Sequence, residues 1–298
     1  MKDSGIGSWL VKRAFLTPSK EAVVDGDKRL SYRELNGRVN RLANALQGLG
    51  LQNGDRVAVL SYNRVEFLEI IMAAAKLGLM VVPLNWRLTA TELAFILNDS
   101  GAETLLYDPD LVDRVKGLRE NTALKQYLII DGQDQANAHG YETLLSAQAD
   151  SEPIPEAVPE LDTPHIIMYT AGTTGQPKGA ILTQGASFWN VLNLNVSLDF
   201  TSVDRNLVVL PMFHIGGIGL FTLPMIYDGG TVVIQRTFDP VKTLALLSEE
   251  KISLFFGVPA IFLALIQHPA FKAEAFETVR VVMSGGAPLP VSLVEQYH

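Results

Sequence analysis

Cysteine is absent from this chain of 298 residues, which excludes disulfide bonds and thiol catalysis. A basic character is also absent, because 24 Lys and Arg stand against 32 Asp and Glu and leave a net charge of −8. Such a chain cannot neutralise a run of phosphates, so nucleic acid is a poor partner. The first fifteen residues hold no apolar run of signal-peptide length, and a reducing, cytoplasmic compartment fits this composition.

Long uncharged apolar runs are rare, and the longest one is not typical of a membrane span. Residues 207–227, "LVVLPMFHIGGIGLFTLPMIY", contain no Lys, Arg, Asp or Glu. Two prolines, three glycines and His214 interrupt the run. Such interruptions argue against a continuous helix. The pattern predicts a strand, a glycine-rich turn and a short buried helix, with no membrane span.

Strand and helix patterns alternate along the whole chain. Capping boxes at Ser31-x-x-Glu34 and Thr89-x-x-Glu92, and Asp239-Pro240, predict three helix starts. A further helix is predicted over 65–78. The apolar segments predicted as strands are 56–60, 79–84, 103–108, 126–131, 206–210, 231–235, 252–258 and 279–286.

This alternation predicts an α/β fold in which mainly parallel sheets are covered by helices on both faces. Two sheets, in two packed lobes, fit the length better than one. The segment 150–164, "DSEPIPEAVPELDTP", is acidic and holds four prolines. We expect it to be an ordered surface connector between the two sheets.

A glycine- and threonine-rich segment, "YTAGTTGQPKGAI" (169–181), follows the apolar strand "HIIM". At the carboxyl edge of a parallel sheet, such a loop offers backbone N–H groups and hydroxyls to a phosphate, and Lys178 adds a positive charge. The segment is not a Walker A loop, since Gly179 follows the lysine, and it is not G-x-G-x-x-G. A turn that only connects two elements is the structural alternative.

The full string "YTAGTTGQPKGAILTQGA" resembles the signature of adenylate-forming enzymes, which include acyl- and aryl-CoA synthetases, firefly luciferase and peptide-synthetase adenylation domains. Every position of the family pattern aromatic-T-[SA]-G-[ST]-T-G-x-P-K-G is matched. The resemblance implies that Lys178 is catalytic and that Thr174 is a Mg²⁺ ligand. The residues that would hold the pyrophosphate part of ATP are Thr170, Gly172, Thr173, Thr174, Gly175 and Lys178.

Two later segments resemble further motifs of the same family. "LPMFHIGG" (210–217) places His214 where the family has an aromatic residue or histidine beside the acyl carboxylate, and this implies a catalytic role for His214. "MSGGAPLP" (283–290) resembles the segment that lies against adenine; the implied contacts are Ser284, Gly285, Gly286, Ala287 and Pro288. The implied acyl pocket lies behind His214 and is lined by Phe188, Trp189 and Val258.

The resemblance implies ATP-dependent activation of a carboxylic acid to an acyl-adenylate, then thioester formation with coenzyme A as co-substrate, with ATP and Mg²⁺ required. The chain resembles an N-terminal adenylation domain, with one lobe at about 56–195 and the other at about 1–55 plus 196–298. The family's Y-G-x-T-E segment and its lysine-bearing C-terminal domain are not in the sequence. We therefore expect a truncated chain that is inactive alone and whose exposed apolar edge favours a homodimer.

The identity of the acid stays open at this point. A medium- or long-chain fatty acid is favoured, and an aryl acid or o-succinylbenzoate is the alternative. An adenylation domain for amino acids is disfavoured, because Met212, Phe213 and His214 offer no aspartate for an amino group. Outside the enzyme class, a non-catalytic nucleotide-binding fragment and an unrelated phosphate-binding α/β protein remain.

Overall fold

A computed structural model describes residues 5–170 and 176–297 of the chain, in which helices and strands alternate. The described helices are α1 (Ser8–Leu16), α2 (Tyr32–Gly48), α3 (Val65–Leu77), α4 (Ala90–Ser100), α5 (Val112–Lys116), α6 (Tyr141–Ser146), α7 (Gln184–Leu198), α8 (Ile215–Ile218), α9 (Thr222–Asp228), α10 (Pro240–Glu249), α11 (Pro259–Ile266) and α12 (Val291–Glu295). Two short 3₁₀ helices cover Pro109–Leu111 and Ala273–Phe276.

The described strands form two sheets. The strands are β1 (Glu21–Asp25), β2 (Lys28–Ser31), β3 (Arg56–Leu60), β4 (Met80–Pro83), β5 (Thr104–Tyr107), β6 (Gln126–Ile129), β7 (His139–Gly140), β8 (Pro164–Thr170), β9 (Lys178–Thr183), β10 (Arg205–Val208), β11 (Thr231–Ile234), β12 (Leu254–Gly257) and β13 (Val281–Ser284). The alternation predicted from the sequence is therefore confirmed, together with the α/β fold class.

The larger sheet has the strand order β7-β6-β5-β3-β4-β8-β9. Its neighbours are parallel except for β8 and β9, which form an antiparallel pair. The smaller sheet has the order β13-β12-β10-β11-β1-β2, again parallel except for the β1–β2 hairpin. In the smaller sheet, Val23 of β1 pairs with Val232 of β11, so the beginning of the chain joins strands from its second half.

The proline-rich segment 150–164 does not separate the two sheets, and that prediction is wrong. The two strands that follow it, β8 and β9, complete the larger sheet. The segment is ordered on the surface of α2, because the Asn40 and Asn44 amides donate to the carbonyls of Asp150 and Ser151 and the Lys76 amine lies 2.6 Å from the Glu152 carboxylate. Proline content alone did not reveal that the chain returns to the same sheet.

The predicted helix starts are confirmed. Ser31 and Thr89 each accept the backbone N–H three residues on, and Glu34 and Glu92 complete both capping boxes. Asp239 accepts the backbone N–H of Lys242 at 2.8 Å, and a proline follows at the first helical position. These starts depend on contacts within one helical turn, which explains why the sequence predicts them.

Helix α3 lies at the centre of the molecule, and all of its residues are buried. The largest apolar core joins α3 to strands of both sheets, including Val57, Val81 and Val232. The uncharged segment 207–227 forms the end of β10, a glycine-rich turn with α8, and α9, as predicted. In the described part of the chain, no helix is long and apolar enough to cross a membrane.

Candidate functional site

A cavity of about 850 Å³ lies where the carboxyl ends of strands from both sheets meet. Segments after β3 and β4 of the larger sheet form one wall, and segments after β10, β11, β12 and β13 of the smaller sheet form the others. The lining residues are Asn63, Asn85, Trp86, Arg87, Val209, Leu210, Pro211, Phe213, His214, Ile215, Gly216, Leu220, Arg236, Thr237, Phe238, Phe256, Val258, Ile261, Gly285 and Gly286. The edge formed by the carboxyl ends of parallel strands is where open α/β sheets bind ligands.

His214 lies on the cavity wall as the N-cap residue of α8, and its side chain is exposed. Its Nδ1 accepts the backbone N–H of Gly216 at 3.1 Å. A neutral ring that accepts at Nδ1 carries its proton on Nε2. His214 can therefore present an N–H donor to an anionic oxygen in the cavity.

The turn that carries His214 depends on a close approach of two backbone segments. A Cβ atom at Gly217 would lie only 2.3 Å from the carbonyl oxygen of Pro211. Only glycine fits at that position without moving the backbone. The His214 N–H donates to the Pro211 carbonyl at 3.1 Å and closes the turn. Gly217 and this hydrogen bond therefore set the backbone position from which the His214 imidazole projects.

The segment after β13 forms a second wall from glycine backbone. Gly285 and Gly286 line the cavity, and Gly286 has a positive φ of 81° that favours glycine. A Cβ atom at Gly286 would contact the Val258 side chain at 3.4 Å. The buried Ser284 hydroxyl finds no hydrogen-bond partner in the described structure. Ala287 and Pro288 are exposed just beyond, so a flat ring could approach this wall closely.

The predicted phosphate loop connects the two antiparallel strands β8 and β9. Thr170, the last residue of β8, pairs with Lys178, the first residue of β9, and both are exposed. The residues between them that were predicted to hold phosphate and Mg²⁺ lie outside the described residues; they are Gly172, Thr173, Thr174 and Gly175. Strand β9, "KGAILT", has no counterpart in the sequence prediction, which extends the loop to residue 181.

A model of the family described as AMP-binding enzyme matches residues 10–298 of this chain. The chain belongs to the AMP-binding enzyme family. A feruloyl-CoA synthase of an Amycolatopsis species is 39% identical over 297 residues, which cover 100% of this chain and 57% of that relative. The long-chain-fatty-acid–CoA ligase FadD13 of Mycobacterium tuberculosis is 35% identical and is covered to the same extent, 57%. The chain thus spans little more than half the length of these curated relatives.

A solved structure has the same AMP-binding fold. The inhibitor-bound N-terminal domain of FACL13 from Mycobacterium tuberculosis aligns with a TM-score of 0.88 and 34% identity. The alignment covers 99% of this chain and 73% of that one. The family resemblance drawn from the sequence motifs is therefore confirmed.

Four of the residues predicted for the site lie on one cavity: His214, Val258, Gly285 and Gly286. Phe188 and Trp189 of α7 are not among its lining residues. Phe188 packs edge-on against Trp189 and against Tyr227, with ring centroids 5.3 and 6.2 Å apart, and Trp189 is 59% exposed. Their predicted contact with an acyl group stays a prediction.

Several polar and aromatic groups that line or border the cavity were not predicted from the sequence. Arg87 lies over the ring of Trp86 at 4.3 Å, Trp86 packs against Tyr62 at 4.8 Å, and Arg236 lies over Tyr62 at 4.9 Å. These contacts join residues after β3, β4 and β11, which are far apart in sequence. The "NWR" segment (85–87) offered a weak signal, since an aromatic residue and an arginine lie within four residues of the end of a strand.

Arg236 is held in its charged form by two carboxylates. Burial alone would lower the pKa of its guanidinium, but Asp108 and Asp110 raise that pKa above the ordinary value. Its NH2 nitrogen lies 2.9 Å from Asp108 and 2.7 Å from Asp110.

The metal site predicted from the sequence has no further support. The residues that the structure describes contain no cluster of three or more His, Cys, Asp or Glu side chains that could hold a metal ion. Mg²⁺, with Thr174 as a ligand, therefore stays a prediction.

Proposed function

We propose that this chain carries the acid- and ATP-binding part of a ligase that converts a carboxylic acid to its coenzyme A thioester. The observation that carries the proposal is one cavity that is lined both by His214 and by the glycine wall of Gly285 and Gly286, in a chain of the AMP-binding family. The imidazole suits the carboxylate, and the glycine wall suits the flat purine.

In the proposed reaction the cavity would hold the acid and the adenine, and the β8–β9 hairpin would hold the pyrophosphate part of ATP. In the first step a carboxylate oxygen bonds to the α-phosphorus of ATP and the bond to pyrophosphate breaks. In the second step the coenzyme A sulfur bonds to the acyl carbon, AMP leaves, and the thiol proton is released. Negative charge grows on the departing pyrophosphate, where Lys178 and the loop before it would stabilise it. Mg²⁺ bound with ATP would add positive charge that stabilises the same pyrophosphate oxygens.

The acid that we propose is an apolar one, because the cavity lining is mainly aliphatic and aromatic. Val209, Leu210 and Ile261 suit an alkyl chain, whereas Phe213 and Phe256 suit an aryl ring. The two relatives point in both directions, since one is a feruloyl-CoA synthase and the other a long-chain-fatty-acid–CoA ligase. A medium- or long-chain fatty acid remains our first candidate and an aryl acid the second.

The test of this function is the chain's affinity for three ligands in calorimetry: AMP, dodecanoyl sulfamoyl adenosine and feruloyl sulfamoyl adenosine. The two acyl compounds are stable analogues of acyl-adenylates. We expect at least one of them to bind more tightly than AMP, because it fills the cavity as well as the nucleotide site. Equal affinity for AMP and for both analogues would favour the alternative, a nucleotide-binding fragment without an acid site. If one analogue binds more tightly than the other, its acyl group identifies the class of acid.

Catalysis is tested separately, in a protein that combines this chain with the C-terminal part found in its relatives. Acid-dependent exchange of labelled pyrophosphate into ATP reports the first step, and thioester formation reports the second. Exchange without a response to any carboxylic acid would contradict the proposed reaction.

A further inference from the structure

Asn63 holds together the wall of the cavity that carries His214. It follows β3 of the larger sheet and is 4% exposed. Its side-chain amide donates to the carbonyl oxygens of Leu210 at 2.9 Å and Gln235 at 3.1 Å. Its side-chain oxygen accepts the backbone N–H of Met212 at 2.7 Å. All three partners belong to the segments after β10 and β11 of the smaller sheet.

These bonds clamp the turn from which the imidazole projects. Met212 lies inside the turn that begins at Pro211 and ends at His214, and the His214 N–H closes it onto the Pro211 carbonyl. Leu210 directly precedes this turn and lines the cavity. The backbone N–H of Asn63 also donates to the Arg236 carbonyl at 3.2 Å, so the clamp extends to the next segment. A shift of Asn63 would move the base of His214.

We propose that Asn63 is a positioning residue: its side-chain amide fixes the turn Pro211–His214 so that the imidazole faces the acid end of the cavity. The inference rests on the proposed function of that cavity. Asn63 also borders the cavity, but its side-chain N–H groups and oxygen are engaged by the backbone, so we assign it no direct contact with the substrate. It acts through the backbone of Met212, which no apolar side chain of similar size can hold, since the Met212 N–H and two carbonyls would lose their partners.

Asn40 provides a matched control elsewhere in the chain. It is 2% exposed, and its side-chain amide likewise makes three hydrogen bonds, to the Asp150 carbonyl, to Glu152 and from Lys76. None of these groups lines the His214 cavity. Asn63→Leu and Asn40→Leu therefore each remove three side-chain hydrogen bonds of a buried asparagine, but only the first loosens the His214 turn.

The experiment measures the affinities for AMP and for the better acyl sulfamoyl adenosine in both variants, with and without His214→Ala. We expect Asn63→Leu to weaken the acyl analogue about 10-fold, while the affinity for AMP changes less than about 2-fold. In the His214→Ala background the effect of Asn63→Leu should shrink to about 2-fold, because the two residues act as one unit. Asn40→Leu should change neither affinity.

Three results would overturn the inference: equal effects of the two asparagine variants, an equal loss of AMP affinity, or an undiminished Asn63→Leu effect without His214. If Asn63→Leu does not fold, the smaller polar variant Asn63→Ser enters the same comparison, with thermal unfolding as a check on folding. If the unsubstituted chain binds the acyl analogue no better than AMP, the proposed acid site itself is wrong. That outcome differs from one in which the acyl analogue binds better than AMP but Asn63→Leu does not weaken it, which would contradict only the role of Asn63.

Discussion

The guanidinium of Arg236 lies 2.9 Å from the carboxylate of Asp108, and this ion pair joins the two sheets beside the cavity. Asp108 directly follows β5 of the larger sheet and is fully buried. Arg236 follows β11 of the smaller sheet. A second arginine, Arg64, reaches the same carboxylate at 3.3 Å. One buried carboxylate therefore contacts two cations at the junction of the sheets, and each cation has a further carboxylate partner, Glu66 for Arg64 and Asp110 for Arg236.

Asp108→Ala should be strongly destabilising, because Arg236 and Arg64 each lose a fully buried carboxylate partner. We expect the free energy of unfolding to fall by about 3 kcal/mol, as is usual when one member of a buried ion pair is removed. Urea unfolding followed by tryptophan fluorescence measures the change. Asp110→Ala is the control, since Asp110 pairs with the same Arg236 at 2.7 Å but its side chain is 65% exposed. Asp110→Ala should lower the free energy of unfolding by less than about 1 kcal/mol. Equal decreases in Asp108→Ala and Asp110→Ala would contradict a special role for the buried Asp108.

Stability should decrease in mild acid because of His165, a fully buried histidine on β8. Burial lowers the pKa of its imidazole to about 4, although its Nε2 contacts the Ile71 carbonyl oxygen at 3.1 Å. In the unfolded chain the ring titrates near 6.5. Between these values the unfolded state binds a proton that the folded state rejects, so the free energy of unfolding falls as the pH falls.

The expected contribution of His165 is about 2 kcal/mol between pH 7 and pH 5. Asp228 titrates in the same range, since burial raises its pKa to about 6, and it acts in the opposite direction. The difference between the pH profiles of the unsubstituted chain and His165→Gln isolates the histidine. Parallel profiles would show that His165 does not titrate as a buried, neutral ring.

The features that sequence reasoning captured depend on residues close together in the chain. Ser31 and Glu34, or Asp239 and Lys242, meet within one turn of helix, so a local pattern predicts them. The motif around His214 is also local, and the structure places it on the cavity. The groups that were missed depend on distant partners: Asn63 bonds to residues 147, 149 and 172 positions away.

The wrong prediction that segment 150–164 connects the two sheets also has its cause in contacts between distant residues. Its acidic, proline-rich composition correctly indicates an irregular surface segment, but composition does not show where the chain goes next. The pairing of Val81 with Ile166 decides that β8 adds to the sheet begun by β3. A single sequence contains no direct signal for such long-range strand pairing.

Lys178→Ala should slow the first chemical step if the β8–β9 hairpin holds the departing pyrophosphate. We expect acid-dependent pyrophosphate exchange to fall about 100-fold in a protein that also carries the C-terminal part of its relatives. Lys116→Ala is the control, because Lys116 is an exposed lysine that pairs with Asp113 at 2.8 Å on the surface. An unchanged exchange rate in Lys178→Ala, with acid and ATP saturating, would remove this lysine from the proposed chemistry.

Gly216→Val should narrow the cavity next to His214 and so distinguish large acids from small ones. A Cβ atom at Gly216 would lie 3.2 Å from the Leu210 side chain and 3.4 Å from the His214 Nδ1, so a branched side chain there must occupy space that an acyl group would use. Its backbone N–H remains and can still donate to His214. We expect the affinity for dodecanoyl sulfamoyl adenosine to fall about 10-fold, because overpacking a filled space costs about 1–3 kcal/mol. The acetyl analogue and AMP should bind nearly as before, because neither carries a chain that fills this space.

Gly48→Val provides the control for this substitution, since a Cβ atom at Gly48 meets no other atom within 4 Å. It should leave all three affinities unchanged in calorimetry. Equal weakening of the acetyl and dodecanoyl analogues by Gly216→Val would mean that the valine disturbs His214 and not the chain-length pocket. No weakening of either would place the acyl group elsewhere in the cavity, nearer to Trp86 and Phe238.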